Sequence, residues 1–219
     1  MFTNANAVAH AGLSRRTLLG MAMIAAAPLS LPAHADTGVG ATAAITNFNA
    51  ALLGAMKSGA RSDFNQRFQT LAPAVDQAFD LPAVLAVSVG PSWAALPPDQ
   101  QTRLLDAFRR YTVASYVANF DSYAGQSFSV SPDTRDLGAG RVVVQSRITP
   151  VRGDATQLDY VMQQTASGWK VVDVLAAGSI SRVAVQRSDF RHLLSNGGGE
   201  ALLSSLQRKT NDLSRGAIA

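Results

Sequence analysis

Arg141-Val142-Val143-Val144-Gln145-Ser146-Arg147-Ile148 sets Val142, Val144 and Ile148 on one face and Arg141, Gln145 and Arg147 on the other. A two-residue period of this kind predicts a β-strand with one dry and one wet face. The same grammar continues in both directions. Downstream, Gly153-Asp154 makes a turn, and Leu158, Tyr160 and Met162 then alternate with Gln157, Asp159 and Gln163. Ser167-Gly168 turns again into a strand over Trp169–Leu175. Upstream, Ser127–Val130 reads as a further strand. Consecutive strands joined by short turns predict an antiparallel meander.

On either side of these strands the period lengthens to that of a helix. Leu96-Pro97-Pro98-Asp99 opens the longest predicted helix, with Pro98 suited to a first turn. Leu105, Phe108, Thr112, Tyr116, Phe120 and Tyr123 follow at steps of three and four, an apolar stripe rich in aromatic mass. Earlier, Ile45, Phe48, Leu52 and Met56 form one stripe, behind a Gly/Ala/Thr run over 36–43 that reads as a flexible start. Phe64, Phe68, Leu71 and Val75 form another, entered through Ser62 as N-cap and broken by Pro73. Ala83–Val89 is a third piece, ended by Gly90-Pro91. Beyond Gly178, helices run through Val183–Leu194 and Ala201–Leu213 with Gly197-Gly198-Gly199 as a joint.

Helices, then strands, then helices predict an α+β domain, a curved antiparallel sheet covered by amphipathic helices with an apolar cavity between the layers. The domain runs over residues 36–219. Residues 1–35 read as a cleaved export signal: Arg15-Arg16, an apolar stretch over Leu18–Pro32, and Ala33-His34-Ala35. Leu18 and Leu19 behind the paired arginines look like a twin-arginine signal, with general secretory export as the alternative. The expected location is the periplasm, as a soluble protein after cleavage.

Composition narrows the chemistry. The chain has no cysteine and 3 histidines. His10 and His34 fall in the signal, which leaves His192 and argues against a zinc site. Lys and Arg number 19 against 15 Asp and Glu, without a basic block, so nucleic-acid binding has no electrostatic footprint. No metal, cofactor or catalytic residue is expected, since no hydrolase, nucleotide-loop or metalloprotease motif occurs. Asp173, inside Val171-Val172-Asp173-Val174, is the most conspicuous carboxylate. It reads as structural, held by Arg182, Arg187 or backbone amides. Its alternative is an acid–base pair with Tyr160 in an isomerase or hydrolase acting on a polycyclic substrate.

Taken in order, Phe79-Asp80, Gly90-Pro91-Ser92-Trp93, Gln100-Gln101, Tyr111–Tyr116, Tyr123-Ala124-Gly125, Gly168–Val174 and Gly178-Ser179-Ile180-Ser181 make a pattern. The chain resembles the MlaC (toluene-tolerance) family of periplasmic lipid-binding proteins. Gly178–Ser181 and Arg187-Ser188-Asp189-Phe190 look most like its hopanoid-biosynthesis-associated branch. The resemblance implies a non-enzymatic carrier, an auxiliary component of an ABC transporter that supports outer-membrane lipid asymmetry. It implies a phospholipid or hopanoid ligand, passed between an inner-membrane ABC transporter complex and an outer-membrane lipoprotein complex.

The residues support that implication on physical grounds. Each methylene exposed to water costs about 0.8 kcal/mol, so a carrier must surround lipid tails with apolar side chains. Val142, Val144, Ile148, Leu158, Tyr160 and Met162 supply one wall, extended by Val172 and Val174. Leu105, Phe108, Tyr116 and Phe120 supply the facing wall, and Phe79, Leu85 and Trp93 complete the expected lining. Lys170, Arg147 or Arg141 would meet a polar head group.

Overall fold

In the computed structural model of the chain the described residues are Thr37–Ile218, so the expected export signal lies outside them. The order is α1 (Thr37–Ser58), α2 (Phe64–Ala78), α3 (Leu81–Val89), α4 (Pro98–Asn119), β1 (Ser127–Gly138), β2 (Arg141–Thr149), β3 (Thr156–Thr165), β4 (Gly168–Ala176), β5 (Ile180–Ser181) and α5 (Arg182–Ser214). Short 3-10 turns at Gly59–Arg61 and Gly90–Ala95 join α1 to α2 and α3 to α4. The strands form one open antiparallel sheet in chain order, β1-β2-β3-β4-β5. This is the α+β meander that the strand spacing predicts.

The register fixes which residues share a face. Val144 lies opposite Tyr160, and Tyr160 opposite Val174. Val142 lies opposite Met162, and Met162 opposite Val171. These side chains form the inner face and are buried or half-buried in one continuous core. A register shift between Val161 and Met162 leaves Val172 unpaired at a β-bulge. Beyond β5 the edge of β4 is sealed by the chain itself. Phe79 bridges to Val171, and the Asp80 amide donates to the Val171 carbonyl at 3.0 Å.

Several expectations need correction. The flexible start is instead helical from Thr37. Gly38 and Gly40 explain why small residues stand there. A Cβ on Gly38 would lie 3.0 Å from Thr134 Oγ1, and one on Gly40 3.0 Å from Trp169 Cδ1, so α1 touches the sheet through bare backbone. Asp63, not Ser62, caps α2 in a reciprocal box with Gln66. Pro73 does not break α2, because its exposed position leaves the freed carbonyl of Gln69 to solvent. β1 runs on to Gly138 through a register shift between Val130 and Thr134 that accommodates Pro132, a tolerated device on an edge strand. Finally, α4 and α1 are equal in length at 22 residues, and α5 spans 33 across a bend at Gly197-Gly198.

The helix on the sheet is also not the expected one. α1 lies across the inner face, against β1, β2 and β4, and buries Ile45, Phe48, Leu52 and Met56. Gly38–Ser58 is, among the described residues, the one helix long and apolar enough to cross a membrane. Here its apolar stripe is the central rib of a core. α4 stacks behind it against α2, α3 and α5.

Candidate functional site

The space between α1 and the sheet is lined by aromatic rings in contact. Phe48 of α1 sits at the centre, 5.2 Å from Phe79, 5.2 Å from Tyr116 and 6.4 Å from Tyr160, each edge to face. Tyr116 stacks on Phe120 at 6.0 Å, and Phe120 meets Phe128 of β1 at 6.1 Å. The rings thus run from the fully buried Phe48 and Tyr160 to the half-buried Phe120 and Phe128. That outer end lies where α4 stops, β1 begins, β2 turns into β3 and α5 starts.

Polar atoms are few here, and several lack partners. The Asn49 amide donates to Ser146 Oγ at 3.0 Å across the α1–β2 contact, while Asn49 Oδ1 is buried with no partner. Neither the Tyr116 nor the Tyr160 hydroxyl makes a hydrogen bond to a described residue. Burial pushes both phenol pKa values up. The neighbouring Tyr160 pushes the Tyr116 value up further, while the Arg182 guanidinium pulls it partly back. Arg182, exposed at the start of α5, is thus the cation that acts on the Tyr116 hydroxyl.

The expected lining residues divide into groups. Phe79, Val142, Val144, Tyr160 and Met162 are buried on or against the inner face, and Leu158 and Val174 pack half-buried beside them. Tyr116 and Phe120 reach the sheet from the end of α4. Phe108 instead packs on Phe190 of α5 at 6.3 Å, and Leu105 is half-buried while Leu104 is fully buried. α4 is therefore not the facing wall along its length. α1 is, and Phe48, Asn49 and Leu52 are lining residues that sequence reasoning left out, although the stripe containing Phe48 and Leu52 was readable. Leu85 and Trp93 belong to the corner between α3 and α4. Ile148 and Val172 stand half-buried outside the core.

Two open clefts, about 590 and 400 Å³, lie on the far side of α4, where Arg110 and Ile218 line both. Neither is lined by the expected residues. Between the layers the rings of Phe48, Phe79, Tyr116 and Tyr160 meet one another.

The charged candidates resolve into structural parts. Asp173 Oδ1 accepts from the Val174 amide at 2.7 Å and the Val183 amide at 3.1 Å, and Oδ2 accepts from the Ser181 hydroxyl. It ties β4 to the first turn of α5, with no arginine partner. Its pairing opposite Val161 puts it on the outer face, across the sheet from Tyr160, so the two cannot act as one acid–base pair. Lys170 donates to the Asp76 and Gln77 carbonyls and closes the end of α2. Arg141 and Arg147 are exposed on the outer face. His192 meets only Asn196 one turn on. No cluster of metal-ligating side chains occurs among the described residues.

The family model described as MlaC protein matches residues 46–208. The fold also matches a phospholipid-binding protein from Ralstonia solanacearum, solved in complex with a phospholipid. The TM-score is 0.69 at 22% identity, over 82% of this chain and 99% of that one. No curated protein matches the chain by sequence.

Proposed function

The chain belongs to the MlaC family, and on that premise we propose that it is a periplasmic carrier whose aromatic layer between α1 and the sheet opens to take a lipid. The observation that carries this reading is the ring series from Phe48 and Tyr160 to Phe120 and Phe128. An ordinary core pairs its buried polar atoms. This one leaves the Asn49 amide oxygen buried and unpaired next to a ring series whose two tyrosine hydroxyls bond to no described residue, which suits an interior that exchanges its own contacts for a ligand's.

The mouth is the end where α4 stops, and the lipid tails enter along Phe120 and Phe128 toward Phe48. They displace the half-buried side chains Leu158 and Val174 and are walled by Val142, Val144, Tyr160 and Met162. Arg182 is the head-group cation, replacing the outward-facing Arg141 and Arg147. The ligand is a phospholipid, as in the Ralstonia neighbour, or a hopanoid. Residues 1–35 direct export by the twin-arginine route and are removed. The carrier then passes its lipid between an inner-membrane ABC transporter complex and an outer-membrane lipoprotein complex.

Native mass spectrometry with lipid extraction tests the reading directly. The protein from cells carries bound lipid, and it takes up labelled lipid after stripping. Val144→Trp or Tyr160→Arg abolishes uptake with the circular dichroism of the fold retained. Protein that carries no lipid and takes up none sinks the proposal.

A further inference from the structure

Asn49 is 3% exposed, and its side-chain oxygen has no partner. A buried polar atom left unpaired is rare enough to need a reason. Exchanging the oxygen and nitrogen of the amide does not remove the difficulty. Ser146 can satisfy one end of Asn49 in either orientation, and the other end stays empty. The neighbouring residue, Phe48, touches both Tyr116 and Tyr160, neither of whose hydroxyls bonds to a described residue. Asn49 reaches Ser146, two residues along the inner face from Val144, which lies opposite Tyr160, so the Asn49 amide and the two tyrosines occupy the same part of the interior, beneath the Phe120–Phe128 mouth.

We infer that Asn49, Tyr116 and Tyr160 form a polar clasp for an oxygen atom in the body of the lipid, below its head group. The inference rests on the carrier reading and adds a selectivity to it. Bare hydrocarbon would leave all three groups unpaired. An ester carbonyl accepts from the tyrosine hydroxyls, or from the Asn49 amide in its other orientation. A ring hydroxyl both accepts and donates, so it satisfies any of the three. The shared chemistry is one hydrogen-bonding oxygen at the level of Phe48. Its two sources are the glycerol esters of a diacyl lipid and the hydroxyl of a polycyclic one.

Two matched pairs of probes separate the sources. One pair is diacyl phosphatidylglycerol against its dialkyl ether analogue, which lacks only the carbonyls. The other is a hydroxylated triterpenoid against its parent hydrocarbon. Uptake by the stripped protein is expected to favour the oxygen-bearing member of one pair by at least about tenfold, the worth of one well-placed buried hydrogen bond. Asn49→Leu is expected to erase that preference, so that the two members of the pair are taken up equally. Tyr160→Phe keeps the ring and is a second variant should Asn49→Leu fold badly. Equal uptake within both pairs overturns the clasp but leaves the carrier intact. A preference that survives Asn49→Leu, Tyr116→Phe and Tyr160→Phe also overturns it. Failure to take up all four probes overturns the carrier reading itself.

Discussion

At the scale of single residues, the fold places its polar groups according to whether they must hold or release. Asp173 holds. It accepts three hydrogen bonds and fixes the angle at which α5 leaves the sheet. Asp173→Asn keeps the shape but offers N–H where an acceptor is needed. We expect a loss of about 1–3 kcal/mol in urea unfolding with lipid uptake retained. Lost uptake at unchanged stability would show that the carboxylate acts on the ligand. Tyr116 and Tyr160 are the releasing kind. Their raised pKa values give a definite sign. The folded state keeps both phenols protonated above the usual value of 10.0, so their contribution to stability is present below that pH and is lost as pH rises beyond it. Tyr160→Phe is expected to flatten the alkaline limb of the stability curve, read by thermal melts across that range. The structural role of Asp173 and its backbone-amide partners were legible in sequence, whereas its Ser181 partner and the pairing state of the two tyrosines were not. Asp173 stood out as a charge in an apolar strand, but only the bulge beside Val172 shows which face it takes.

At the scale of elements, the strands were the most legible part of the chain. Alternation in Arg141–Ile148 survives folding because one face is dry and the other wet. Which helix covers that dry face was not legible. α1 and α4 carry stripes of similar strength, and the choice is made by Gly38 and Gly40, whose missing side chains let α1 approach Thr134 and Trp169. Gly40→Leu is therefore expected to destabilise the fold by about 1–3 kcal/mol through overpacking against Trp169, with tryptophan fluorescence reporting the disturbance. α5 has a different device. Gly198 holds φ 61 at the bend, so Gly198→Ala introduces a left-handed strain while meeting no neighbouring atom. Beyond the bend, Glu200 accepts from Gln100 and Arg103 of α4, and these bonds lower its pKa. The bridge therefore stabilises the fold above the ordinary glutamate value of 4.5 and is lost as pH falls below it. Glu200 is fully exposed in this bridge, so salt should weaken it. Glu200→Gln should lower the melting temperature slightly at neutral pH and low salt, and not at all in strong acid.

At the scale of the whole molecule, the proposed carrier must part its layers somewhere to admit a lipid, and the two ends of α1 differ in their contacts. At its start, the α1 backbone lies directly against the Thr134 side chain at Gly38 and the Trp169 indole at Gly40, each too close to admit a Cβ without a shift. Beyond Phe48, toward the end where α4 stops, the half-buried Tyr116 and Phe120 stack and Phe120 meets Phe128 of β1 at a tilt, contacts that can slide and separate without stranding a hydrogen bond. On the carrier reading the fixed point is the start of α1, where the contacts are closest, and the moving end is the proposed mouth. The absence of cysteine allows a clean test, because an engineered pair has no competing thiol. A Cβ built on Gly38 lies 3.9 Å from the Thr134 Cβ, within the span of a disulfide. Gly38→Cys with Thr134→Cys should close on oxidation and stabilise the protein by up to about 4 kcal/mol, the chain-entropy limit for a long loop. Lipid uptake in the oxidised form should match that of the reduced form, because the bond falls at the hinge. Uptake that stops on oxidation and returns on reduction would place the opening at the start of α1 and reverse the assignment of the mouth.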